Sequence, residues 1–200
     1  MAFLNAVAVR ARTRGRVRRG RAGRIITSAL LLLTTPGLVG QSVRASEYQV
    51  KAVFLFNFAQ FVAWPPDAVP DSQAPLVIGI LGDDPFGGLL DETVRGEHLG
   101  ARPIVVRRYQ RAEDIKRCDI LFISQSENDR MEEILATLKN RPILTAGDGD
   151  GFANRGGMIH FFTSANHIRL RINLEAAQAA NLTISSKLLR VAEIVTPTRR

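Results

Sequence analysis

Cysteine is almost missing from this chain: Cys118 is the only one among 200 residues. A single thiol closes no internal disulfide, so a disulfide-stapled fold is excluded, as is a zinc site built on several thiolates. Acids are missing from the first 46 residues, the first carboxylate being Glu47. Aromatics make up 6% of the chain, with one tryptophan, and the three histidines His98, His160 and His167 are dispersed. The uncharged stretch Ile25–Val39 falls short of the about 20 apolar residues that cross a bilayer as a helix. G-x-G-x-x-G, the P-loop and G-x-S-x-G are all absent, which removes the signatures of dinucleotide, nucleotide and serine-hydrolase chemistry.

What is present first is positive charge in one place. Arg10, Arg12, Arg14, Arg16, Arg18, Arg19, Arg21, Arg24 and Arg44 precede every acid. They are a third of the chain's 27 basic residues, so 18 remain against 19 acids and the rest of the chain is one charge negative. The formal charge of +8 therefore belongs to the leading segment, and a nucleic-acid partner is not implied. A basic region to Arg24, an apolar centre at Leu30–Leu33, a break at Pro36-Gly37 and small residues around Val43-Arg44-Ala45 form the three parts of a secretory leader. Residues 1–45 are read as that leader and 46–200 as one α/β domain, long enough to bury a real core.

In the domain, Val50, Phe54, Phe58 and Phe61 recur at helical spacing, widened by Val53 and Val62, and predict a helix over Glu47–Trp64 stopped by Pro65-Pro66. The run 75–82 reads as a strand buried on both faces, followed by a helix over Phe86–Val94 capped by Asp84. Further strands are predicted at Pro103–Val106, Asp119–Ser124 and Pro142–Ala146. A helical turn is predicted at Glu113-Asp114 and a helix from Ser126 to Leu138. Met158–Thr163 and His167–Ile172 read as an antiparallel hairpin whose second strand is apolar on one face and basic on the other. Helices over Leu174–Ala180 and Ser186–Val195 complete the pattern. Alternating strands and helices predict a three-layer α/β fold, a mixed and mostly parallel sheet with helices on both faces and an antiparallel hairpin near the C-terminus.

No constellation names a reaction or a cofactor. Asp83 and Asp84 lie at the carboxyl end of a parallel strand, where α/β sheets bind ligands, yet Asp84-Pro85 is also an ordinary helix start. Gly147–Gly151 resembles part of a calcium loop but lacks the closing acid. Ser185-Ser186-Lys187 suits a helix cap as well as a nucleophile pair.

Val50–Pro65, Leu81–Gly87, Gly156–Ile159, Asn173–Ala177 and Leu182–Leu189 together resemble the YfiR-like family of periplasmic regulatory proteins, in order and spacing. The resemblance implies a non-catalytic regulator whose partner is the periplasmic part of an inner-membrane diguanylate cyclase or another membrane sensor. Its release would raise cyclic-di-GMP and favour biofilm. Homodimerisation is implied too. Some members place a second cysteine where this chain has Gly79, so redox control by an internal disulfide does not carry over to Cys118. Aromatic and arginine side chains dominate interface energetics, which points to Phe56, Phe61, Trp64, Arg169, Arg171 and Glu175 as the docking face. The alternatives are a periplasmic solute-binding module with its cleft near Asp83 and Asp84, and a hydrolase. N-terminal sequencing of the exported protein should find a start near residue 46; a full-length chain retained in the cytosol would rule out the leader.

Overall fold

The computed structural model describes residues 38–68 and 73–195, with side chains from residue 45 onward. The expected leader lies outside the described residues up to residue 37. Helix α1 covers Leu38–Phe61. Strands follow at β1 (Val62–Ala63), β2 (Leu76–Leu81), β3 (His98–Leu99), β4 (Arg102–Tyr109), β5 (Ile120–Ile123) and β6 (Leu144–Gly147). The later strands are β7 (Ile159–Ser164), β8 (His167–Asn173), β9 (Thr183–Ile184) and β10 (Glu193–Val195). The other helices are α2 (Leu89–Val94), α3 (Met131–Thr137), α4 (Leu174–Ala179) and α5 (Ser186–Leu189). One eight-stranded sheet runs β10-β8-β7-β6-β5-β2-β4-β3, and β1 pairs with β9 apart from it. Only β3/β4 and β7/β8 are antiparallel within the large sheet. The mixed, mostly parallel α/β architecture is thus as the sequence predicts.

The strands read as unbroken apolar runs because both faces are covered. All six positions of β2 are buried. Leu76, Ile78 and Ile80 join Ile120, Phe122, Leu144 and Ala146 in a core roofed by α1, α2, α4 and α5. Val77, Leu81, Leu121 and Ile123 face the other way, against Met131 and Ile134 of α3 and against Phe152. Each fully buried Leu, Ile or Phe contributes roughly 1.5–3 kcal/mol. Two layers of such side chains therefore dominate the stability.

Four expectations change. The helix expected over Phe86–Val94 with Asp84 as its cap starts only at Leu89, with Gly88 at its N-cap and no side-chain cap bond; Asp84 instead holds the turn before it. The α1 face that meets the core is Ala52, Leu55, Phe58 and Ala59, continued by Val62 of β1, whereas Val50 and Val53 are exposed. Phe54 and Phe58 stack around Phe161 with centroids 6.0 and 5.8 Å away, and this contact sets the rotation of the helix. The helix expected over 126–138 begins instead as a 3-10 segment, Gln125–Arg130, capped by the Ser124 hydroxyl. The helix expected over Ser186–Val195 ends at Leu189, and Glu193–Val195 adds to the open edge of β8 in parallel. The β-branched Ile194 and Val195 satisfy that edge, which no local pattern reveals. The hairpin turn is a two-residue one with Ala165 and Asn166 both at positive φ, the mirror-image turn that matches strand twist.

The amino ends of three strands are clamped by one buried ion pair. Arg102 Nη2 donates to Asp119 Oδ1 at 2.7 Å, and both side chains are over nine-tenths buried. Arg102 Nε also donates to the Ala74 carbonyl at 2.9 Å, while Asp119 Oδ2 accepts from the Val77 amide at 2.8 Å. Replacing Asp119 with Ala would leave a buried guanidinium with its charge unpaired, which costs about 3–5 kcal/mol. Urea unfolding of Asp119→Ala should show a loss of that size; a loss under about 1 kcal/mol would mean that the clamp is dispensable.

Candidate functional site

The carboxyl ends of β2, β5 and β6 carry three loops, at 82–88, 124–130 and 148–157. In the first, Asp84 Oδ1 accepts from the Phe86 and Gly87 amides at 2.8 and 3.2 Å, and Oδ2 accepts from Arg108 Nε at 2.7 Å. Arg108 bridges on to Asp91, and the two carboxylates hold its pKa above the ordinary arginine range. Both oxygens of Asp84 therefore serve the loop. Asp83 is exposed, with its amide donating to Ser126 Oγ at 3.0 Å. The two aspartates do not converge on a common point.

The larger concavity lies further along the edge. Strand β6 stops at Gly147 while β7 continues past it to Ser164, which opens a cleft of about 550 Å³ between α1 and the hairpin. Its walls include Tyr48 and Lys51 from α1, Asp148 and Asp150 after β6, and His160, Phe162 and Arg171 from the hairpin. Lys51 is 2% exposed and joins Glu47 Oε1 at 2.6 Å and Asp148 Oδ2 at 2.7 Å. Tyr48 OH donates to the same Asp148 oxygen at 2.8 Å, while Asp148 Oδ1 is buried without a hydrogen-bond partner. Opposite, Arg171 lies 3.8 Å over the Phe162 ring and donates from Nε to Glu193 at 2.8 Å. Burial and then the Arg171 charge push His160 below its ordinary pKa, against the pull of Asp148 and Asp150.

Arg171 is the single docking residue predicted from sequence that lines this cleft. Arg169 is exposed on the same alternation of β8, since Ile168, Leu170 and Ile172 pack toward α1. Phe56 and Phe61 are half-buried against that α1-side core, so the structure separates them from the arginines by the thickness of the sheet. Trp64 lines a different pocket, with Arg117 and Arg141. Glu175 is exposed in the first turn of α4. Lys51, Asp148 and His160 were missed; a lysine inside an otherwise apolar helical stripe was the one available signal. His160 and His167 do not meet, and among the described residues no group of three His, Cys, Asp or Glu comes together.

The sequence motifs at the end of the domain have structural work. Asn173 is 1% exposed, caps α4 by accepting from the Ala176 amide at 3.0 Å and donates to the Ala153 carbonyl at 3.0 Å. Any Cβ on Gly157 would fall 2.1 Å from the Phe152 ring. Ser185 caps α5. The YfiR/HmsC-like family profile matches residues 48–193. The chain belongs to the YfiR/HmsC-like family. As a class these proteins are periplasmic regulators, and no described helix of this chain is long and apolar enough to cross a membrane. Comparison with curated proteins gives no match. A solved structure with some likeness is a conserved domain protein from Vibrio cholerae O1 biovar El Tor str. N16961, at 12% identity and a TM-score of 0.45. The match covers 66% of this chain and 57% of that one.

For this YfiR/HmsC-like chain the lone thiol is a core group. Cys118 is buried, its Sγ lies 3.0 Å from the Ile120 carbonyl, and burial pushes its pKa up to about 12. A Cβ at Gly79 would stand 2.8 Å from that Sγ. This is near the about 3 Å between a Cβ and the far sulfur of a disulfide, given an S–S bond of about 2.04 Å. Thiol reagents at pH 8 should leave Cys118 unmodified until the protein unfolds. Gly79→Cys should form a bridge to Cys118 on oxidation, seen by mass spectrometry without reductant. Fast native labelling of Cys118, or a Gly79→Cys variant that stays reduced under oxidant, would contradict this geometry.

Proposed function

We propose that the chain is a periplasmic, non-catalytic regulator that binds and restrains a membrane-bound diguanylate cyclase or related sensor, lowering cyclic-di-GMP and biofilm formation. The observation that carries the reading is the family match over residues 48–193, which spans every layer of the domain. The pairing of the ionisable groups supports it: Asp84 with Arg108, Asp148 with Lys51 and Glu132 with Arg155 hold loops in place. The proposed docking face centres on Arg169 and Arg171, on the sheet side away from α1, with Glu175 just past the end of β8. Phe56, Phe61 and Trp64 form a separate contact region, and homodimerisation belongs to the same proposal.

The cleft beside Lys51 and His160 favours one second reading, a periplasmic solute-binding module. Its ligand residues would be Asp148, His160 and Arg171 rather than Asp83 and Asp84. Deleting the gene separates the two: a restraining regulator raises cyclic-di-GMP when lost, and a solute-binding module leaves it unchanged. Complementation with Arg169→Ala/Arg171→Ala should fail to restore restraint. Surface changes cost under about 0.5 kcal/mol, so the variant should melt close to wild type. Partner affinity should fall about tenfold or more. Unaltered cyclic-di-GMP on deletion, with no membrane sensor recovered by crosslinking, would sink the regulatory reading.

A further inference from the structure

The opposite edge of the sheet carries a second concavity, at the amino ends of β5 and β6. Trp64, Ala68, Lys116, Arg117, Asp119, Arg141 and Pro142 are among the residues that line it. Three cations stand here, and the one acid among them is committed elsewhere: Asp119 gives one oxygen to Arg102 and the other to the Val77 amide. Arg141 uses one terminal nitrogen on the Ile115 and Lys116 carbonyls. The indole nitrogen of Trp64 and Nη2 of Arg117 are both buried without a hydrogen-bond partner. An indole N–H and a guanidinium only donate, and neither atom finds an acceptor among the described residues.

We infer that this pocket binds a small oxyanion, a phosphate, sulfate or carboxylate group. A water molecule would serve either donor but leaves the excess positive charge uncompensated; an oxyanion answers both. The walls at Ala68, Pro142 and Ile143 are apolar, which strengthens a charge-assisted hydrogen bond from the arginine. The pocket volume of about 160 Å³ corresponds to roughly five waters at ~30 Å³ each. That suits a single oxyanion group of about five heavy atoms. The site shares no residue with the Lys51 cleft; it shares Trp64 with the proposed contact region, but anion binding is read on the isolated protein, so either proposal holds if the other fails.

Trp64 is the only tryptophan in the chain, so intrinsic fluorescence reports this site directly. The purified protein is titrated with sodium phosphate and, separately, sodium acetate, at ionic strength held constant with sodium chloride, and heats of binding are measured in parallel. A saturable fluorescence change with a matching heat is expected for at least one of the two anions, and the tighter one assigns the class. Arg117→Gln should weaken that binding tenfold or more. Exposed Lys116→Gln should weaken it several-fold and keeps the test valid if Arg117→Gln does not fold. Arg169→Ala should bind as wild type. No saturable response to either anion beyond the chloride control would show that water meets the two donors, and the inference would be wrong. Wild-type affinity in a folded Arg117→Gln variant, or in Lys116→Gln if that variant does not fold, would overturn it equally.

Discussion

The pairing of Arg102 with Asp119 is the constraint on which the sheet turns. Strand β2 is buried on both faces, so its position is set by its neighbours β4 and β5, and the clamp joins all three at their starts. Both partners are buried and their other hydrogen-bonding atoms are met by backbone, the condition under which a buried pair is tolerated. The clamp also shapes the surface beneath it. By taking up Asp119, it leaves Lys116, Arg117 and Arg141 as a basic edge without an ion-paired acid among the described residues.

At the other end of the strands a second pair does comparable work. Lys51 crosses from α1 to Asp148 and so ties the helix over the end of β6. The cleft exists because β6 is short and β7 long, and because this bridge holds α1 above the gap. Its polar groups are shared between structure and surface: Asp148 anchors Lys51 with one oxygen, and Arg171 is held by Phe162 and Glu193. Such a site is rigid on the hairpin side, which suits recognition of a partner by preset side chains.

Much of the architecture was legible from local signals. The apolar runs at β2 and β5 and the alternation in β8 place those strands, and Ser185 acts as a cap. These features depend on near neighbours in sequence. The rotation of α1 was not legible, because Val50 and Val53 are as apolar as the residues that turn inward; packing on distant segments, Phe161 among them, selects the face. Nor was β10, which is a strand only because β8 leaves an edge open. Of the docking residues, Arg169 and Arg171 were placed on the basic face correctly by alternation. Their separation from Phe56 and Phe61 follows from which side of the sheet α1 covers.

By itself the sequence determined the class of fold, the positions of the main strands, the confinement of excess positive charge to the leading segment and the family. All of these follow from periodicity, composition and ordered motifs along one dimension. Tertiary structure alone decided which acids stay engaged and which cations do not. Asp84, Asp119 and Asp148 look alike in sequence; each meets its arginine or lysine across 17 to 97 residues. Charge compensation acts through space over a few ångströms, so it is settled only when distant segments are packed side by side.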